Sequence, residues 1–402
     1  MTRQTFFLCM ILLSALVCRA QPDIQADIIS QLREEGLEDI KALQSQDTLY
    51  LSIEDRSHRG TFRGATAAIK AISKSHPYIN AYEVLLTEEQ IPQLIVHASK
   101  RGDIWNVSVD RQMETARKQL KAEKPQAVST GRINVTIFPM ISLVNNKLDH
   151  LYDYSIRIAP AVDMNLWNGG HLTLQPIFPI LTNVEKTDSK RYIQIGCANI
   201  SQQIVSSKHW CASVAFGFFH QERWGAHAQV GYHIMRNLDI YVSGGLTGLS
   251  NYDCEKGFGM SSPKRFNALA RADYYEPHTK LQFELQGGRF LYGDYGARLD
   301  ITRHFGEYAV GVYGILTGGE HNAGFHFAIP FGGKRQKRNG YVRLRLPEYY
   351  SLEYSMVSYF EYWRKRMGEQ YVTRPDQNHA AHYWEPAYVQ EYIERMLNGT
   401  FK

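Results

Sequence analysis

From Leu281 to Phe331 apolar and polar residues alternate almost without a break. Leu281, Phe283 and Leu285 share one parity, and Gln282, Glu284 and Gln286 the other. Ala297, Leu299 and Ile301 alternate with Arg298, Asp300 and Thr302, and Phe325, Phe327, Ile329 and Phe331 form a further row. Successive side chains of a strand point to opposite faces, so period two predicts strands with one apolar and one polar face. Two architectures use such strands: a soluble sheet with a core on one side, or a barrel with lipid on one side.

The N-terminus favours the barrel. Met1–Ala20 carries Arg3, an apolar run from Phe6 to Val17, then Cys18-Arg19-Ala20. That is the layout of a secretory signal peptide with cleavage after Ala20, and the run is too short to span a bilayer as a helix. Aromatic residues make up 12% of the 402, a share that suits the two interfacial girdles of a membrane barrel. Mean hydropathy is −0.36 and no later apolar stretch reaches spanning length, so insertion would have to use strands. The net charge of +5, or +3 once Arg3 and Arg19 leave with the signal, is too mild to argue for nucleic acid. Beyond the signal only Cys197, Cys211 and Cys254 remain, with no metal-type spacing.

The mature chain divides by pattern. Residues 21–100 read as a small α/β module in the order α-β-β-α-β-β. Its apolar set is Ile28, Leu32, Leu51, Ile69, Ile72, Leu85 and Leu94. Residues 101–131 read as a charged linker with a helix at 111–121 that lacks an apolar face. Residues 132–350 form the barrel region, and the alternation is nearly continuous over about 200 of them, from about 132 to 332. At roughly 16 residues per strand and connection they predict about twelve strands, closing as an antiparallel transmembrane barrel. Gly287-Gly288 reads as a bulge, and longer loops fall near 185–190 and 250–264. Residues 351–402 form an aromatic and helical tail that breaks the pattern.

The stretch GRFLYGDYGARLDITRHFGEYAVGVYGILTG, followed by GFHFAIPF, resembles the end of YjbH-type exopolysaccharide biosynthesis proteins. The residues that carry the likeness are Asp294, Gly296, Arg303, Phe305, Gly311, Tyr313, Gly324, Ile329 and Pro330. LREEGLEDI and the polar segment before the second helix resemble that family's small periplasmic domains. The resemblance implies an outer-membrane barrel of a Gram-negative bacterium with a periplasmic module, acting with polysaccharide and other export or envelope proteins.

Chemistry is sparse. Arg271, Asp273, Asp294, Arg298, Asp300 and Arg303 are the candidate polymer-binding or lumenal charges, and the same residues would equally make a salt-bridge network that stiffens the barrel. His379, His382 and Glu385 form a loose H-x-x-H-x-x-E that predicts no metal site. Lys334, Arg335, Lys337 and Arg338 are a charge run read as a solvated turn or a contact to acidic lipid or polymer. There is no nucleophile elbow, no P-loop and no opposed pair of acids, and no cofactor is implied. The expectation is a non-enzymatic export barrel. The alternative is an outer-membrane hydrolase or acyltransferase acting on envelope lipid or glycan.

Overall fold

A computed structural model describes residues 24–144, 153–185, 188–253, 257–338, 340–356, 362, 364–376 and 383–401. The signal-like segment, Cys254, His379 and His382 lie outside these residues. The chain is mainly β and builds two sheets, one of five strands and one of fifteen.

The smaller sheet is the N-terminal module. It contains α1 (Ile24–Glu34), β1 (Glu38–Ser45), β2 (Thr48–Glu54), α2 (Arg63–Ser75), β3 (Ala81–Glu88), β4 (Ile91–Arg101), β5 (Ile104–Asp110) and α3 (Glu114–Gln119), with strands in the order β1-β2-β3-β4-β5. β2 and β3 are parallel because α2 crosses between them. Ala65, Ala68, Ile69 and Ile72 follow helical spacing and bury one face of α2. Period two then splits β3: Val84 and Leu86 pack toward α1 and α2, whereas Leu85 faces the other side.

That other side corrects the linker reading. Met113, Ala116 and Leu120 form a stripe at i, i+3 and i+7 that covers Leu85 and Ile95. Trp105, Val107 and Val109 alternate into the main core as the fifth strand. Ile40 and Gln126 then exchange backbone hydrogen bonds, each 2.8 Å, which tie the end of the segment to β1. The charged residues between those apolar positions mask the pattern. The tail reading also changes. Helix α4 (Pro386–Leu397) buries Tyr388, Val389, Tyr392, Ile393 and Leu397 in the module's own core. Asn398 both donates to the Trp105 carbonyl and accepts from its N–H, at 3.0 and 2.9 Å, capping the edge of β5.

The large sheet comprises β6 (Ile133–Val144), β7 (Asp153–Trp167), β8 (Gly170–Thr182), β9 (Gln194–Ser206), β10 (Trp210–Phe219), β11 (Arg223–Met235), β12 (Leu238–Asp253), β13 (Gly257–Met260), β14 (Arg265–Glu276), β15 (Leu281–Arg289), β16 (Tyr295–Phe305), β17 (Tyr308–Thr317), β18 (Glu320–Pro330), β19 (Val342–Arg345) and β20 (Tyr349–Ser355). Fifteen strands replace the expected twelve. The segment expected as one strand near 340–350 breaks at Pro347 into β19 and the start of β20, since proline cannot donate to a ladder. Neighbours are antiparallel meanders, apart from β19, which pairs β6 in parallel. No ladder joins β19 to β20 among the described residues, yet these two ends of the sheet are linked in sequence by residues 346–348 alone.

Gly287 and Gly288 do not form a bulge; the register runs through them unbroken on both sides. Gly288 has φ +140°, and a Cβ there would overlap the Ala268 carbonyl, so close strand approach is the reason for glycine.

The two faces are inverted relative to a water-soluble sheet. Gln282 and Asp300 are each 3% exposed on the inner face, with Thr302, His304, Asn322 and His326 also buried there. Leu285, Val310 and Val312 are 53%, 51% and 57% exposed on the outer face. The module contacts the end of the sheet that carries the hairpin turns at 168–169, 236–237 and 306–307 and also the long connection from Pro330 to Val342. The opposite end carries the connections from Thr182 to Gln194 and from Asp253 to Arg265, together with short turns at 220–222 and 318–319.

Candidate functional site: the inner cavity

The large sheet curls around a cavity of about 920 Å³, lined by nine of its strands (β9–β12, β14–β17 and β20) and by Gln93 of the module. A C-terminal strap, residues 364–376, runs inside it. At the long-loop end Leu291 N–H donates to the Glu369 carbonyl at 3.1 Å and His220 N–H to the Val372 carbonyl at 3.1 Å. Midway, Asn199 Nδ2 donates to the Thr373 carbonyl at 2.8 Å. At the module end Arg374 pairs with Glu89 at 2.7 Å and Glu88 at 3.5 Å. Tyr371 stacks on Phe219 with centroids 5.2 Å apart and meets His227 Nδ1 at 2.9 Å. Gly245 makes room for it: a Cβ there would overlap Tyr371 Oη. The interior is therefore filled along part of its length by the chain's own C-terminal segment.

Four of the six predicted charges face this cavity: Arg271, Asp273, Arg298 and Asp300. Arg298 is bidentate to Asp300, 2.8 Å for both bonds, and reaches Glu353 at 2.8 Å. Its guanidinium lies 3.9 Å from the Tyr313 ring centroid. Asp273 stands opposite Glu284 in the β14–β15 register, where facing side chains come within about 5 Å at Cβ. Arg271 reaches Glu284 at 3.9 Å, and Gln282 donates to Asp273 at 3.1 Å. This opposed pair of acids was missed in the sequence because the two lie eleven positions apart on different strands; the antiparallel register joins them.

Asp294 is not a cavity charge but a clamp at the rim: its Oδ2 accepts from Thr317 Oγ1 and from Gly368 N–H at 2.8 Å, which fixes the strap. Arg303 is a correction. It shares parity with Leu299 and Ile301, lies on the outer face, and covers the Phe305 ring at 4.8 Å.

At the module end the cavity meets Tyr275, Tyr383, Trp384 and Glu385. His304 stacks on Tyr383 with centroids 5.1 Å apart and planes 7° from parallel. Glu385 caps α4 by accepting from Tyr388 N–H, while burial pushes its carboxyl up to about 7.

Between module and sheet lies a buried charge network. Glu38 accepts from Arg338 at 2.7 Å and from Arg343 at 3.0 Å. Glu307 in the β16–β17 turn accepts from Arg59 at 2.8 Å and pairs with Arg63 at 2.7 Å. Burial alone would raise the Glu307 carboxyl, but its bonds to Arg59 and Arg63 hold it below the usual range. Arg335 pairs with Glu35 at 2.8 Å, so the basic run at 334–338 fastens the module rather than forming a solvated turn. Asp39 is pushed up to about 7 by burial and then by the charge of Glu54. An acid with a raised folded pKa keeps its proton while the unfolded chain has lost it. Stability from this group is full below about pH 4 and falls by about 1.4 kcal/mol per unit as pH rises to about 7. Asp39→Asn should flatten the fall in melting temperature between pH 4.5 and 7 relative to the parent; parallel curves would remove Asp39 as its source.

The family model described as Exopolysaccharide biosynthesis protein YbjH matches residues 16–332. The chain belongs to this YjbH family. No curated protein and no solved structure matches it. The match covers the module and the sheet through β18, and it carries a role related to exopolysaccharide biosynthesis. The strap, β19, β20 and α4 lie beyond the matched residues.

Proposed function

We propose that this YjbH-family protein is a non-enzymatic outer-membrane barrel that docks exopolysaccharide during its export or assembly, with the α/β module in the periplasm. The observation that carries the membrane reading is the inverted sheet, polar within and apolar without. A row of exposed aliphatic side chains facing water would favour aggregation, whereas lipid satisfies it. Aromatic residues border that row. Trp167, Trp210, Phe305, Tyr308 and Tyr341 are exposed at the module end, and Phe258, Phe266 and Tyr295 at the other. Along β16, Tyr295 to Phe305 spans ten steps of about 3.4 Å. Tilted by about 40°, that gives an apolar band of about 25 Å, the height expected of such barrels. Arg303 then sits at the interface with its guanidinium over the Phe305 ring.

The shortness of the hairpin turns on the module side, the connection from Pro330 to Val342 aside, supports a periplasmic module. The strap and the module obstruct one end of the interior, so the described state suits holding a polymer rather than conducting it freely. Deleting the gene should change the amount or surface retention of extracellular polysaccharide. Arg298→Gln should reproduce part of that change while the protein still fractionates with the outer membrane and shows heat-modifiable migration. Unchanged polysaccharide in the deletion strain would refute the reading.

One observation favours a second reading. Asp273 and Glu284 face each other on the cavity wall, as a glycan-cleaving pair would require. Release of new reducing ends from purified polysaccharide, abolished by Glu284→Gln, would favour cleavage over docking.

A further inference from the structure

We infer that a basic pocket inside the mouth of the large sheet, at the end away from the module, binds the carboxylate or phosphate substituents of an acidic saccharide. The inference rests on the exopolysaccharide reading and adds the class of ligand to it.

The pocket has a volume of about 540 Å³ and is separate from the inner cavity. Its cations come from four places in the chain. Arg223 opens β11, Arg265 opens β14, Lys264 ends the connection before β14, and Arg366 belongs to the strap. Successive residues of a strand alternate faces, so Arg223 shares a face with Gln229, and Arg265 with Arg271. Gln229 and Arg271 line the inner cavity, so both arginines point inward rather than toward lipid. Thr247 of β12 lies between them: its hydroxyl accepts from Arg223, and it stands opposite Arg265 in the ladder. Tyr292 holds two of the guanidinium groups, with the central carbons of Arg265 and Arg366 at 4.8 and 4.7 Å from its ring centroid.

Charge on this wall is unbalanced. No carboxylate lines the pocket. Arg366 is met by Glu369 at 2.7 Å, but Arg223, Lys264 and Arg265 have no acidic partner among the described residues. Arg223 is the decisive one. It is 2% exposed, yet Nε and Nη2 donate only to the Thr247 hydroxyl and carbonyl, at 3.0–3.2 Å. Its Nη1 makes no hydrogen bond among the described residues and is not sealed from the pocket. A guanidinium stays charged throughout the working pH range, and burying it against neutral acceptors alone is costly. A stabilising role would be served by a carboxylate of the chain itself, as Glu38 serves Arg343. Here the counter-charge is left to a ligand. An oxyanion can accept from Arg223 Nη1 and from the exposed Lys264 and Arg265 together, in short charge-assisted bonds. Ser261 and Ser262 add hydroxyls, and Leu249 and Tyr292 add apolar surface, for the sugar ring that carries the charge. A neutral sugar would gain none of the charged bonds.

The test uses the full chain in phosphatidylcholine nanodiscs, titrated calorimetrically with a galacturonate tetramer and with cellotetraose. The galacturonate tetramer should bind at least about tenfold tighter. Raising sodium chloride from about 0.05 to 0.5 M should weaken galacturonate and leave cellotetraose nearly unchanged. Arg223→Gln should remove most of the preference. Should that buried variant fail to fold, as judged by heat-modifiable migration, the exposed pair Lys264→Gln and Arg265→Gln should together bring the two probes within about twofold. Arg303→Gln, on the outer face at the other end, should change nothing. Repeating the titration with lipopolysaccharide in the nanodisc separates two sources of the same chemistry. Loss of galacturonate binding there supports the site and assigns it to the phosphorylated sugars of the membrane; retained binding supports the site and assigns it to the free polymer. Equal affinities for the two probes, or a galacturonate preference that survives Lys264→Gln with Arg265→Gln, overturns the site even where gene deletion alters polysaccharide. Tight galacturonate binding with no deletion phenotype supports the site and refutes the export role.

Discussion

Replacing Arg343 with methionine is expected to lower stability by about 3–5 kcal/mol, the cost of breaking a buried ion pair from one side. Arg343 is 1% exposed. Its guanidinium donates to Glu38 Oε1 at 3.0 Å, to Ser57 Oγ at 3.0 Å and to the Arg56 carbonyl at 2.5 Å. It belongs to β19 of the large sheet, whereas all three partners belong to the module, so it fastens one body to the other. Removal leaves Glu38 buried with Arg338 as its remaining close cation, since Arg132 stands 3.6 Å away and is more exposed. Denaturant unfolding in detergent, followed at module and sheet separately, should show the module transition moving to lower denaturant. Adding Glu38→Gln should cost much less than it does alone, because the two act on one network. A loss below 1 kcal/mol in Arg343→Met would mean that the module docks through other contacts.

Much of this architecture is legible in the sequence because strand alternation is local. Gln282, Glu284 and Gln286 share a parity whatever surrounds them, and that parity faces inward. The module's first four strands and two helices are legible for the same reason: each has its own apolar period. Arg303 was legible too, since counting two residues at a time from Leu299 puts it outside, opposite in parity to Asp300. Other features were not legible. The strap has no periodicity, because a segment inside a polar cavity needs neither an apolar stripe nor an alternating face. Partners such as Glu38 and Arg343, or Arg59 and Glu307, are separated by hundreds of residues, and charge patterning says nothing at that range. α3 was hidden by Arg117 and Lys118, which sit on its exposed side and dilute the stripe of Met113, Ala116 and Leu120. The acids Asp273 and Glu284 became a pair only when the hairpin register was fixed.

Val312→Arg should destabilise the protein by about 2–4 kcal/mol if the outer face of β17 lies near the bilayer midplane. Val312 pairs with Ile301 on one side and Phe325 on the other, so its neighbours across both ladders are apolar and no acid is available to an introduced guanidinium. It sits four residues from Tyr308, at one end of β17, and five from Thr317, at the other, which makes it central to the band. An arginine there has the longest reach to either interface and the largest desolvation cost. The same substitution at Tyr308, beside the turn, should cost far less because its side chain can reach the headgroups. The comparison separates lipid from water: in a water-exposed sheet, arginine at Val312 would be nearly neutral, since an exposed surface position tolerates charge. Unfolding of both variants in lipid vesicles gives the two costs. A depth-dependent difference supports a membrane-spanning barrel. Equal, small costs at positions 308 and 312 would refute it, whatever the family's link to exopolysaccharide.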